Sequence, residues 1–204
     1  MSTGKNLSRL SLVERQSDLT RRVILEAALA ELEDGSVGEL TVRAVAKRAN
    51  IAERTVFRYF ASREEFLDAL AAEVRAKLAL PQPPQSVAAL LAAPRELFTR
   101  FEALASLTKA ALHSELFHRM RETQARSRWT AVRKLVDELA PRRSERERRI
   151  AAANIRYYLA ATTWHYFRFY FNFSLEDSIA AAEAALRQTL TSLAASLPRP
   201  RKAA

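Results

Sequence analysis

The sequence predicts an all-α protein made of a small N-terminal helical domain and a larger C-terminal helical domain. Gly (3) and Pro (7) are few among the 204 residues, whereas alanine and leucine dominate, so long helices are expected and strands are not. Apolar residues recur at helical spacing, and Ser or Thr precedes several of these runs as an N-cap. A chain of this length holds one large domain, or a small domain and a larger one.

The first predicted helix covers residues 18–34 and follows a flexible N-terminal arm, residues 1–17. Its apolar positions include Ile24, Ala28 and Leu32, which share one face of a helix. Gly35 supplies the residue that commonly ends a helix.

Residues 41–60 predict two short helices around a tight turn. Thr41 is a suitable N-cap for a helix over residues 42–49, and Asn50 tolerates the left-handed conformation that ends it. A second helix over residues 53–59 directs Val56 to the interior and leaves Thr55, Arg58 and Tyr59 accessible. Two helices joined this closely form a helix-turn-helix, whose second helix can enter the DNA major groove.

The local charge agrees with this interpretation. Six basic residues within 41–63 are opposed only by Glu53, a local balance of +5: Arg43, Lys47, Arg48, Arg54, Arg58 and Arg63. The alternative is a solvated face on an ordinary helical pair, which charge alone leaves open. The net charge of +10 decides little, because most of the surplus lies after residue 118.

A linker helix begins at Ser62, which forms a capping-box pattern with Glu65, and runs to about Leu80. Prolines in 81–84 then stop it, so we expect the first domain over 18–80 and the second over 81–197. Five further helices are predicted over residues 86–107, 109–117, 119–139, 144–173 and 175–197, before a disordered tail, 198–204.

The N-terminal segments resemble the TetR family of bacterial transcriptional regulators. The resemblance rests on Ile-Leu-Glu-Ala-Ala at 24–28, Thr-Val-Arg-Ala-Val-Ala at 41–46, Thr-Val-Phe-Arg-Tyr-Phe at 55–60 and Ser-Arg-Glu at 62–64. It covers about residues 20–75. Phe57 stands where the family commonly has a tyrosine, and Ala52 replaces a capping serine, which leaves the individual contacts open.

The resemblance implies a set of DNA contacts within the helix-turn-helix. Arg43, Thr55 and Arg58 are expected at or near bases, because guanidinium groups suit guanine edges. Phosphates are expected at Thr41, Tyr59 and Arg63. The expected interface comprises Thr41, Arg43, Arg54, Thr55, Phe57, Arg58, Tyr59 and Arg63.

Aromatic residues occupy all sides of the predicted helix over 150–173, which is typical of a helix buried on several sides. Homodimerisation would bury them, and the last helix offers a flat face containing Ala180, Ala184, Leu186 and Leu190. The resemblance likewise implies a dimer built from the last two helices. A monomer with a large aromatic core is the alternative.

The resemblance also implies a ligand cavity in the second domain. The candidate lining is Phe98, Phe101, Leu104, Phe117, Trp129, Tyr158, Thr162, Trp164, His165 and Phe169. For each residue, packing in the core is the competing interpretation. Carboxylates are scarce nearby, so a neutral or anionic, apolar small molecule is favoured over a cation.

The sequence argues against an enzyme, and no cofactor, catalytic residue or metal site is predicted. His113 and His118 are five residues apart and do not share a helix face as a metal pair would. The chain has no cysteine, and its first residues lack an apolar run of signal-peptide length, so a cytoplasmic protein is expected, with no membrane partner.

The sequence therefore predicts a homodimeric, ligand-responsive repressor that binds a palindromic operator in double-stranded DNA. Repression and activation use the same DNA-binding part and are not distinguished by sequence. A helical module that binds another protein is the alternative.

Overall fold

The computed structural model describes residues 11–34 and 40–195. The described residues form ten α-helices and one short π-helix, and they contain no strand, so the predicted all-α class is confirmed. The helices are α1 Leu12–Glu33, α2 Val42–Arg48, α3 Glu53–Tyr59, α4 Arg63–Leu78, α5 Val87–Ala103, α6 Ala105–Leu112, α7 Leu116–Leu139, α8 Glu145–Tyr158, α9 Ala161–His165 and α10 Leu175–Ala194, with the π-helix Tyr166–Tyr170 between the last two.

The first helix begins at Leu12, so the predicted flexible arm over 1–17 is wrong for residues 12–17. A capping box starts the helix here. The backbone N–H of Ser11 donates to the carboxylate of Glu14 at 2.7 Å, and the Glu14 N–H donates to the Ser11 hydroxyl at 3.2 Å. Residues 1–10, the predicted stop at Gly35 and the predicted tail at 198–204 lie outside the described residues.

The chain divides into two compact units. Unit 1 contains the described residues up to Lys77 together with Lys109–Met120, and unit 2 contains Leu78–Thr108 and the described residues from Arg121 onward. The domain boundaries predicted from the sequence, 18–80 for the DNA-binding part and 81–197 for the ligand-binding and dimerisation part, stay a prediction.

Each unit has its own apolar core. In unit 1, the rings of Phe60 and Phe66 meet edge to face with centroids 5.3 Å apart, next to buried residues of α1 to α4. In unit 2, buried side chains from α5, α7, α8 and α10 form one cluster around Trp164, which is fully buried. Its indole N–H donates to the carboxylate of Glu102 at 2.9 Å, so the buried polar atom has a partner.

The aromatic segment predicted as one helix over 144–173 is broken after Tyr158. Ala160 has an extended backbone, with φ −94° and ψ 149°. The buried hydroxyl of Thr163 donates to the Tyr157 carbonyl at 2.5 Å, in place of a continuous helical ladder. The chain then continues through α9 into the π-helix, where the Phe171 N–H donates to the Tyr166 carbonyl at 3.0 Å. These short-range hydrogen bonds are not visible in the helical periodicity.

The face predicted for α10 is divided between the core and the surface. Leu186 is fully buried in the unit 2 core, whereas Ala180 and Ala184 are exposed. Leu186 therefore cannot lie on an open face of the subunit. It contributes to the packing of the unit 2 core.

We predict that Leu186→Ala lowers the free energy of unfolding by about 2–5 kcal/mol, because it leaves a cavity in a closely packed core. Leu139→Ala is the control: that side chain is 44% exposed, and the expected change is about 0.5 kcal/mol or less. Chemical denaturation followed by circular dichroism measures both. Equal, small losses in the two variants would contradict the assignment of Leu186 to the core.

Candidate nucleic-acid interface

The α2–α3 pair forms through local interactions that the sequence specifies. The Thr41 hydroxyl accepts a hydrogen bond from the Ala44 N–H at 3.1 Å and caps α2. Asn50 has φ 53°, so the predicted left-handed residue is confirmed, and the Ile51 N–H closes the turn on the Ala46 carbonyl at 3.0 Å. Ala52 precedes α3 and provides no side-chain cap, because its methyl group cannot accept a hydrogen bond. The two helices are a helix-turn-helix.

The outer side of α3 is partly polar and partly aromatic. Val56 is buried against unit 1, while Arg54 and Arg58 are exposed, and Phe57 is 49% exposed. Thr55 and Tyr59 are half-buried, so they are less accessible than the helical pattern predicts. This side of α3 therefore presents one aromatic ring and two guanidinium groups to a partner.

Two of the six predicted cations are already paired with carboxylates. Arg48 donates to Glu31 at 2.7 Å and also contacts Asp34. The guanidinium of Arg63 donates to both carboxylate oxygens of Glu115, one at 2.7 Å. These pairs remove part of the positive charge that the sequence predicts for this surface.

Four cations remain for an anionic partner. Arg43, Lys47, Arg54 and Arg58 form no ion pair with any residue in the described ranges, and all four are exposed. Arg58 lies over the ring of Tyr59, with its guanidinium carbon 5.2 Å from the ring centroid. The basic surface therefore consists of Arg43 and Lys47 on α2 and Arg54 and Arg58 on α3.

The hydroxyl of Tyr59 has a partner on α1. Its pKa is lowered, chiefly by a side-chain hydrogen bond with Thr20 and to a lesser degree by Arg58. The hydroxyl that was predicted to reach a phosphate is thus engaged within unit 1.

Arg21 positions the end of α3, and sequence reasoning missed it. Its guanidinium donates to the Tyr59 carbonyl at 3.0 Å and lies 4.3 Å from the centroid of the Phe60 ring. A cation at the carbonyl end of a helix satisfies an otherwise open acceptor and complements the helix dipole. Because 38 residues separate Arg21 from Tyr59, no local pattern marks the contact.

The segment that contains α2 and α3 is similar to known proteins. The family model for bacterial regulatory proteins of the tetR family matches residues 24–70, which contain the whole helix-turn-helix. Over these residues the chain is similar to the tetR family of bacterial regulatory proteins. The match ends within α4, so the similarity concerns the N-terminal segments that contain the helix-turn-helix.

Three mycobacterial proteins are similar over this part of the chain. Each carries the name uncharacterized HTH-type transcriptional regulator; one is from Mycobacterium bovis and two are from strains of Mycobacterium tuberculosis. Each is 42% identical over 53 residues, which is 26% of this chain and 25% of the relative. The chain thus spans about a quarter of the length of the curated relatives it matches.

The predicted ligand residues differ in burial and in the unit to which they belong, and their role stays a prediction. Phe98, Phe101 and Trp164 are buried in the unit 2 core, and Phe169, 44% exposed, contacts Trp164 with centroids 5.5 Å apart. Five more in unit 2 are half-buried: Leu104, Trp129, Tyr158, Thr162 and His165. Phe117 belongs to unit 1. A cavity of about 230 Å³ in unit 2 is lined by other residues, chiefly of the proline-rich linker, α5, α7 and α8.

The described ranges contain neither a membrane-spanning helix nor a cluster of potential metal ligands. No helix there has both the length and the apolar character to span a bilayer. In the same residues, no group of three potential His, Cys, Asp or Glu metal ligands comes together.

We predict that Arg21→Met accelerates amide hydrogen exchange in α3 and lowers stability by about 1–3 kcal/mol, because the Tyr59 carbonyl loses its charged donor. Arg22→Met, at the exposed neighbouring position, should change neither quantity. Hydrogen exchange detected by mass spectrometry measures both variants. Unchanged exchange in α3 of Arg21→Met would refute the positioning role.

Proposed function

We propose that this protein is a transcriptional regulator of the TetR family that reads double-stranded DNA with α3. The observation that carries the proposal is the exposed set of four cations on α2 and α3, on a helix-turn-helix whose second helix is fixed by Arg21. Such a helix fits the major groove, where cations on and beside it can meet base edges or the phosphate backbone.

The proposed base contacts are made by Arg43, Thr55 and Arg58. Arg58 is exposed on α3, and its planar guanidinium can donate to the O6 and N7 atoms of guanine together. Phe57, exposed beside it, offers an apolar surface to a thymine methyl group. Arg54 lies in the first turn of α3 and suits either a phosphate or a base edge.

The proposed phosphate contacts differ in what they require. Thr41 is exposed at the start of α2 and can meet a phosphate without rearrangement. Tyr59 would first exchange its hydrogen bond with Thr20, and Arg63 would exchange the Glu115 carboxylate for a phosphate. Both exchanges replace one polar partner with another, so neither needs a large free energy.

We also propose a homodimer that binds a palindromic operator. On α8, Ile150 and Tyr157 are exposed by 47% and 58%, and on the neighbouring α10 Ala180 and Ala184 are exposed. Large apolar side chains beside small ones allow two copies of a helix pair to pack closely. Two-fold symmetry places two copies of α3 on two half-sites.

The regulator is proposed to act as a repressor that a small molecule releases from its operator. A ligand changes DNA affinity only by its differential affinity for the DNA-competent and DNA-incompetent states. We propose that such a ligand binds in the cavity of unit 2 and not in the closely packed aromatic core.

We predict that Arg58→Ala weakens binding to the selected operator by about 1–3 kcal/mol and relaxes base preference at one position of each half-site. The operator is first selected from random duplexes, and fluorescence anisotropy then gives the affinities. Arg100→Ala, at an exposed position on α5, is the control and should bind as the wild type does. Unchanged affinity and base preference in Arg58→Ala would exclude this contact.

We predict that Ala184→Glu converts the dimer to a monomer, because it places charges facing each other in an apolar interface. Sedimentation velocity at micromolar concentration measures the change, and Ala88→Glu on the exposed side of α5 should stay dimeric. Leu186 is unsuitable for this test because it is buried within the subunit. A monomeric wild type under the same conditions would overturn the proposed assembly.

A further inference from the structure

The cavity in unit 2 combines apolar walls with guanidinium groups. Its volume is about 230 Å³, and its walls include Pro83, Pro84, Leu97, Val132 and Leu159. The volume lies slightly below the usual range for ligand pockets, so it suits a small molecule. The charged lining residues are Arg128, Arg156 and Glu96, so cations outnumber carboxylates.

Arg128 has an unusual environment for a half-buried arginine. Its guanidinium donates to the Pro81 carbonyl at 3.0 Å, and no carboxylate among the described residues pairs with it. Other half-buried arginines of unit 2 have carboxylate partners: Arg133 with Asp137, Arg143 with Glu147, Arg148 with Glu145 and Arg168 with Glu102.

The guanidinium of Arg128 remains charged despite its surroundings. Burial lowers its pKa, but an arginine keeps its proton at any biological pH. A partly buried charge without a counter-ion is unfavourable, and an anion that reaches it is bound by charge-assisted hydrogen bonds. An anionic group bound at Arg128 would therefore be stabilised by its charge, and the cavity offers an apolar surface beside it.

We propose that this cavity binds a small monocarboxylate with a compact apolar body. The carboxylate accepts hydrogen bonds from Arg128, while the apolar body packs against the linker prolines, Leu97 and Val132. Apolar walls disfavour strongly hydrated dianions, and the two arginines disfavour cations. This inference rests on the proposed function for its regulatory meaning, since it names the class of ligand.

Arg128 also connects the ligand to the linker. The guanidinium that would hold the carboxylate already holds the Pro81 carbonyl, and the linker directly follows α4 along the chain. A bound carboxylate therefore acts on the side chain that fixes the linker backbone.

Isothermal titration of the full-length protein without DNA tests the site. Benzoate, cyclohexanecarboxylate and hexanoate are each compared with the corresponding neutral amide. We expect at least one carboxylate to bind the wild type about tenfold more tightly than its amide, and Arg128→Gln to abolish that preference. Arg126→Gln, at an exposed position on the same helix, should retain it. Absence of a carboxylate preference in the wild type, or its persistence in Arg128→Gln, would overturn the inference.

A second variant keeps the test decisive if Arg128→Gln does not fold. Ala89 lines the cavity from an exposed position, so Ala89→Phe should narrow the cavity without disturbing the core. Its melting temperature should equal that of the wild type, while carboxylate binding weakens about tenfold or more. Unweakened binding in Ala89→Phe would place the carboxylate elsewhere.

The titration tests the cavity assignment and the DNA measurement tests the proposed function, and either can be contradicted without the other. Lack of carboxylate binding overturns the cavity assignment whether or not the protein binds an operator. Lack of operator binding overturns the proposed function whether or not the cavity binds a carboxylate.

Discussion

The orientation of α3 depends on the burial of Phe60 immediately after the helix ends. The ring is fully buried and meets Phe66 edge to face, while the guanidinium of Arg21 covers it at 4.3 Å. The Phe60 N–H still donates to the Val56 carbonyl at 3.0 Å, so the last turn of α3 is fixed both by its backbone and by the ring. A seven-residue helix is too short to be stable by itself, and this packing supplies what its own hydrogen bonds do not.

Local features of the fold could be predicted from the sequence because they depend on neighbouring residues. Thr41, Ser86, Ser144 and Ser174 each cap a helix in the structure through contacts that span three residues. The helix break before α9 is not predicted, since Ala160 is not of a residue type that favours an extended backbone and a threonine in a helical pattern does not show that its hydroxyl bonds the Tyr157 carbonyl. The same limit applies to Arg21, whose partners are distant in sequence.

In the candidate sites too, local features could be predicted from the sequence and long-range contacts could not. The residue types on the surface of α2 and α3 follow from helical spacing, yet the pairing of Arg48 and Arg63 depends on carboxylates of other segments. Aromatic content did not distinguish a cavity from a core: Trp164 is enclosed and satisfied by Glu102. The cavity instead occurs where the proline-rich linker meets three helices, a geometry with no periodic signature.

The carboxylate partners of Arg48 and Arg63 have a consequence for ionic strength. Affinity for DNA falls with salt because each cation that newly neutralises a phosphate releases condensed counter-ions. A guanidinium that already has a carboxylate exchanges one anion for another and frees that carboxylate to attract cations of its own. In the proposed complex, the dependence of DNA affinity on salt would be governed by Arg43, Lys47, Arg54 and Arg58, and would be weaker than the net charge of +10 suggests.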